Sequence, residues 1–175
     1  ILFNQNVLGA KRVELVHEIA PGVARIAMLM NPTNPNVQIE EADAAGGAKK
    51  LGLDTLTVNA KSPSEIDAAF EQLLNAKAGA IIVPVTLFEQ NCTIIWDEPG
   101  KKAVVIDPGG DVPKILDAIK QTGVTVEKIW LTHGHIDHVG GAAELRDALK
   151  VPIEGPHAAD MVLSLIHISE PTRLG

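Results

Sequence analysis

The stretch LTHGHIDHVGG, Leu131 to Gly141, sets His133, His135, Asp137 and His138 within six positions, and half of the chain's six histidines stand there. Imidazole nitrogens and carboxylate oxygens are the donors that borderline divalent ions such as zinc accept, at about 2.0–2.2 Å. Donors one residue apart converge only where the backbone is irregular, and Gly134 between the first two offers that freedom. A tight loop between a strand and a helix can then aim four side chains at two nearby points. Two ions so placed can share a hydroxide, whose pKa they lower, and polarise a substrate carbonyl. The competing reading is a polar turn with coincidental histidines, which so dense a pattern argues against.

Other reactive residues say less. Cys92 is the one cysteine, so no internal disulfide forms and the chain is not a disulfide scaffold. With no identifiable base partner it reads as a small buried side chain rather than a nucleophile. His17 falls on a helix face expected to be solvated. Asn31, Thr33 and Asn34, in the turn-rich NPTNPN, could donate hydrogen bonds to a ligand, although turn chemistry alone accounts for them.

The elements that must position these residues fit a globular chain. Its 175 residues are 46% apolar and 21% charged, enough for one ordinary domain or two small ones. The net charge of -7 comes from scattered acids, and no concentrated basic face suits nucleic acid. No apolar stretch approaches the ~18 residues of a membrane span. No signal peptide opens the sequence, so the expected compartment is the cytoplasm; the start at Ile1 suggests a fragment.

The first half alternates helix and strand. AKRVELVHEIA places Val13, Val16, Ile19 and Ala20 on one helical face, stopped by Pro21-Gly22. ARIAMLM reads as a buried strand. VQIEEADAAGGAKKLG reads as a helix weakened by Gly46-Gly47. TLTVN follows as a strand. Ser62, Pro63 and Glu65 then form a helix start with a capping box, and that helix runs to Gly79 before the strand AIIVPV. Such repetition predicts a parallel sheet. After Val85 the texture changes. NCTIIWD, the turn EPGK and KAVVID read as a β-hairpin. PGGD opens a helix carrying Val112, Ile115, Leu116 and Ile119, closed by Gly123. EKIWLT is a strand ending at the histidines, GGAAELRDALK a helix leaving them, and VPIE a last strand.

The two halves resemble two families. Residues from about Leu8 to Val83, through KRVELVHEIAPGVARIAMLMNPTNPN and LGLDTLTVNAKSPSEIDAAFEQL, resemble part of one lobe of an ABC-transporter substrate-binding protein. That resemblance implies a non-enzymatic solute-binding role, with NPTNPN at the edge of a crevice. Residues from about Val83 to Asp160, through VPVTLFEQNCTIIW, AVVIDPGGD and LTHGHIDHVGGAAEL, resemble the first half of a metallo-β-lactamase-fold hydrolase of the glyoxalase II type. This second resemblance implies two divalent ions, zinc or else iron or manganese. His133 and His135 would hold one; Asp137 and His138 would hold the other. It implies a small-molecule thioester or ester substrate, such as a hydroxyacyl-glutathione, attacked by a metal-bound hydroxide, with Asp137 the residue carried over as catalytic. Asp107 resembles the family's strand-end aspartate, which supports the metal loop. His157 matches a loop position in these relatives and not a ligand.

A complete site in that family also needs a later histidine, a bridging aspartate and a final histidine. Here the resemblance ends by about Val162, and Leu163 to Arg173 reads as a translated sequencing adapter, which would leave His167 and Glu170 without a role. The expectation is thus a composite α/β chain: a βα-repeat half-lobe with a parallel sheet over residues 1–82, the first half of an αββα metallo-β-lactamase sandwich over 83–162, and a tail over 163–175. It predicts a metal-dependent hydrolase site that is incomplete.

Overall fold

The computed structural model of the chain describes residues 9–85, 90–97 and 100–156. His157 and the tail, with His167 and Glu170, lie outside the described residues. Two compact units divide the chain: Ile1–Val83 with Ile95–Lys101, and Pro84–Ile94 with the segment from Lys102 onward. Seven strands are described, and every pairing with a stated register is parallel.

In the first unit, α1 (Gly9–Ile19), β1 (Arg25–Met30), α2 (Val37–Leu51), β2 (Asp54–Asn59), α3 (Pro63–Asn75) and β3 (Ala80–Val85, whose last two residues pass into the second unit) alternate in the order the apolar periodicity predicts. β1 lies between β2 and β3, parallel to both. Burial on both faces explains the unbroken apolar runs of β1 and β3. Gly47 does not weaken α2 to no purpose. A Cβ there would come within 2.6 Å of the Ala10 Cα, so the glycine lets α1 and α2 pack backbone to backbone. Val13 and Val16 of α1 are buried as predicted, whereas Ile19, the last residue of the helix, is exposed. His17 is not simply solvated, since its Nδ1 is buried without a hydrogen-bond partner among the described residues. α3 stops at Asn75 rather than at Gly79, and Glu65 reaches back to the backbone N–H of Lys61 at 3.1 Å, one residue earlier than a Ser62 capping box requires.

In the second unit, β4 (Gln90–Trp96, its last two residues passing into the first unit), β5 (Lys102–Ile106), β6 (Thr125–Trp130) and β7 (Ile153–Glu154) are neighbours in that order. Five residues separate β4 from its neighbour β5, too few for a crossover, so that pair is a hairpin. Between β5 and β6 the chain crosses through α4 (Val112–Thr122) and the pair is parallel; β6 and β7 are joined likewise through α5 (Ile136–Val139) and α6 (Ala142–Leu149). α4 presents Val112, Ile115, Ala118 and Ile119 to the core and ends on Gly123 at φ 66°, the left-handed cap its glycine predicts. Ile94, Val105, Ile115, Ile129 and Leu145 are fully buried and form the centre of this unit. The carboxyl ends of β5 and β6 lie side by side, held by the Asp107 N–H donating to the Trp130 carbonyl at 3.0 Å. This is the end of a parallel pair where open α/β sheets carry their ligands.

Candidate metal centre

Asp107 follows directly on β5 and sits in the left-handed region at φ 52°, uncommon outside glycine but tolerated by aspartate. It is buried at 6% exposure, and both of its oxygens are engaged. Oδ1 accepts from the Thr132 N–H at 2.8 Å; Oδ2 accepts from the Thr132 hydroxyl at 2.6 Å and pairs with His138 Nδ1 at 2.9 Å. The Thr132 oxygen also lies 2.9 Å from His133 Nδ1. Because the hydroxyl donates to the carboxylate, it is left to accept from His133, so both histidines carry the proton on Nδ1 and present Nε2 outward. One carboxylate therefore sets the tautomer of two imidazoles, directly for His138 and through Thr132 for His133.

The four predicted residues all lie on the segment between β6 and α6, but the ligand atoms that group there are those of His133 and His138 with Asp107, not those of His135 or Asp137. His133 and His138 bring their ring centroids to 3.9 Å, and His133 and His135 to 4.7 Å in an edge-on contact. His135 caps the single turn of α5 in an extended conformation, and Asp137 and His138 lie within that turn. The Asp137 Oδ2 stands 3.7 Å from His138 Nε2, too long for a hydrogen bond but on the ligand side of the ring. One ligand atom each of Asp107, His133 and His138 lies within 4.8 Å of the other two. Both Asp107 oxygens already accept hydrogen bonds, which suits the residue to orienting the two imidazoles. Residues 131–135 form neither helix nor strand, as donors one residue apart require, and the left-handed non-glycine residues in and beside the site are Asp107 and Asp111.

The segment is buttressed from below by the Pro108-Gly109-Gly110 loop. A Cβ on Gly109 would overlap the carbonyl oxygen of Asp137, and one on Gly140 would meet the Gly109 carbonyl oxygen at 2.6 Å. The Gly141 N–H donates to the Pro108 carbonyl at 2.8 Å. Glycine is thus required where two loops touch main chain to main chain, and this contact fixes the height of Asp137 and His138 above the sheet.

The donor set suits a divalent ion. Burial, and then the neighbouring His138, hold the His133 pKa below the ordinary imidazole value, which keeps it in the neutral form that ligates. Cys92 behaves as predicted: it is wholly buried, and desolvation pushes its thiol up, away from reactivity. The NPTNPN loop spends its polar groups on itself, with Asn31 Oδ1 accepting from the Thr33 N–H and hydroxyl, and Asn34 Oδ1 from the Asn36 N–H. Sequence reasoning passed over two residues here, Thr132 and Gln90. Thr132 stood inside the quoted motif, and a hydroxyl at a strand end beside a histidine was the available signal. Gln90 had none.

Residues 85–167, a little under half of the chain, match the family model of the Metallo-beta-lactamase superfamily. The match runs past residue 162, where the resemblance was expected to stop. Among curated proteins, the hydroxyacylglutathione hydrolase GloC of Haemophilus influenzae is 43% identical over 82 residues, which are 47% of this chain and 38% of that protein. A hydroxyacylglutathione hydrolase of Albidiferax ferrireducens is 38% identical over 96 residues, 53% of this chain and 36% of that protein. Among solved structures, TTHA1623 in a di-iron-bound form is 35% identical with a TM-score of 0.43, over 47% of this chain and 40% of that one. The chain spans little more than a third of the length of these two curated relatives. Among the described residues no helix is long and apolar enough to cross a membrane.

Proposed function

We propose that residues 83–162 form the metal-binding part of a thioester hydrolase of the glyoxalase II type, acting on a hydroxyacyl-glutathione or a related small thioester. The observation that carries this reading is the convergence of His133, His135 and His138, two of them oriented through Asp107, with Asp137 beside them. His133 and His135 would hold one divalent ion, and Asp137 and His138 a second; zinc, iron and manganese all suit such donors. When bound, the metal supplies Lewis acidity toward a carbonyl and acidifies water. The chain's own residues do the positioning. Asp107 and Thr132 keep Nε2 of His133 and His138 free of protons, the Gly109–Asp137 contact sets the carboxylate's height, and the exposed Ile136 offers an apolar contact at the rim.

Four side chains for two ions is fewer than the roughly four ligands that each ion takes. Among the described residues, Asp107 is the further residue grouped with these donors, and both of its oxygens already accept hydrogen bonds. We therefore expect the unmodified chain, loaded with zinc, to hydrolyse hydroxyacyl-glutathione no faster than metal-free buffer. Joining residues 83–162 to the remaining segment of a curated hydroxyacylglutathione hydrolase should restore zinc-dependent turnover, lost again on Asp137→Ala. A folded, metal-loaded hybrid that stays inert toward thioesters would refute the substrate class. For the first unit we infer a half-lobe of the solute-binding type. The parallel β2-β1-β3 arrangement, with NPTNPN at the carboxyl end of β1, supports it.

A further inference from the structure

We propose that Gln90 is a positioning residue for His138, acting on the imidazole nitrogen that faces away from the metal. The inference rests on reading His138 as a ligand. Gln90 opens β4 and is 8% exposed. Its Nε2 donates to the Asn91 carbonyl at 3.0 Å and lies 3.3 Å from His138 Nδ1. Its Oε1 is buried with no hydrogen-bond partner among the described residues, and it faces Gly109, where a Cβ would come within 3.0 Å.

Against the described residues, the carboxamide is mismatched in either orientation. His138 gives its Nδ1 proton to Asp107, so the amide nitrogen as placed sets donor against donor. Exchanging the amide oxygen and nitrogen would let the oxygen accept from that proton, but would set it against the Asn91 carbonyl. A buried polar group left partly unpaired costs stability that a methionine of similar size would not. Local rules are broken in this way mainly where a site requires it. What the amide does provide is a second polar wall for the imidazole. Between the Asp107 carboxylate and the Gln90 amide the ring has little freedom to turn, and Nε2 stays aimed into the site. Gly109 ties the same amide to the loop that sets the height of Asp137, so one buried side chain touches both supports of the centre.

The test uses the whole chain and the variant Gln90→Met, with zinc as the probe. Expected are an unchanged or higher melting temperature, zinc affinity lower by ~10-fold or more in chelator competition, as losses around metal ligands commonly give, and altered ¹⁵N shifts of both His138 ring nitrogens in the metal-free protein. A purely structural glutamine would move none of the zinc or nitrogen readouts. Zinc affinity within twofold of the unaltered chain together with unmoved His138 nitrogens would overturn the proposal. Should the methionine variant fail to fold, the nearly isosteric Gln90→Glu decides: contact with Nδ1 requires its resonance to move, and an unmoved one overturns the role. If the unaltered chain binds no zinc at all, the proposed function falls, while the metal-free nitrogen spectrum still decides the case of Gln90.

Discussion

Replacing Asp107 with asparagine tests how the centre is oriented. The substitution keeps shape and volume at a buried position, and the Asn Oδ1 can still accept from the Thr132 N–H, now at 2.8 Å. The second oxygen becomes an NH₂ group, and both of its neighbours, the Thr132 hydroxyl at 2.6 Å and His138 Nδ1 at 2.9 Å, then face a donor. His138 can accept only by moving its proton to Nε2, the atom that the proposed metal would take. Thr132 loses the acceptor that made its hydroxyl receive from His133. Both imidazoles are therefore biased to the wrong tautomer by one atom. Losses of such outer contacts cost ~10–100-fold in metal affinity, or about 1.4–2.7 kcal/mol. Because two histidines depend on Asp107, the upper end of that range is expected. Zinc competition with a chromophoric chelator measures the affinity, circular dichroism confirms the fold, and ¹⁵N spectra report the tautomers. Equal affinity in the variant would refute the orienting role. Loss of one whole zinc equivalent, with His138 still protonated on Nδ1, would show instead that Asp107 is itself a ligand.

Three further outcomes follow from the same geometry. In the metal-free chain, His133 should titrate below the ordinary imidazole value of 6.5, because burial and His138 disfavour its charged form; an NMR midpoint at or above that value contradicts this. The sign for stability follows, since below the ordinary value the unfolded chain takes up the proton first, so acidification through that range destabilises the fold. Gly109→Ala should preserve β5 and α4 yet weaken zinc binding, because its methyl group must displace the Asp137 carbonyl; unchanged affinity in a folded variant would show that the two loops do not need their close approach. Leu145→Ala, at a site with 0% exposure, should lower unfolding stability by about 2–5 kcal/mol in denaturant titration, and a loss below about 1 kcal/mol would mean that α6 is not packed as described.

The histidine cluster was legible because rare residue types stand there at close spacing, the pattern that the proposed metal ligation would demand. The alternation of β1, α2, β2, α3 and β3 was legible because each apolar run and each Gly or Pro stop is a local signal. What stayed hidden depends on contacts between distant parts of the chain. Gly47 reads as a helix weakness until Ala10 is seen against it, and Ile19 reads as core until α1 ends beside it. The pairing of Gly109 with Asp137 joins residues 28 positions apart, and that of Gln90 with His138 joins residues 48 apart. No periodicity reports such a pair. Asp107 was placed at a strand end with a supporting role, but its left-handed backbone and its reach to two histidines follow from the adjacent ends of β5 and β6.

The most direct measurement is a calorimetric zinc titration of the chain against a His133→Ala, His135→Ala double variant at one pH, with both proteins shown to be folded. The account predicts saturable binding by the unaltered chain, and the loss of at least one zinc equivalent, or of ~100-fold or more in affinity, in the variant, since removing ligands must exceed the ~10–100-fold cost of removing their supports. Indistinguishable curves would contradict it and leave the cluster a polar turn.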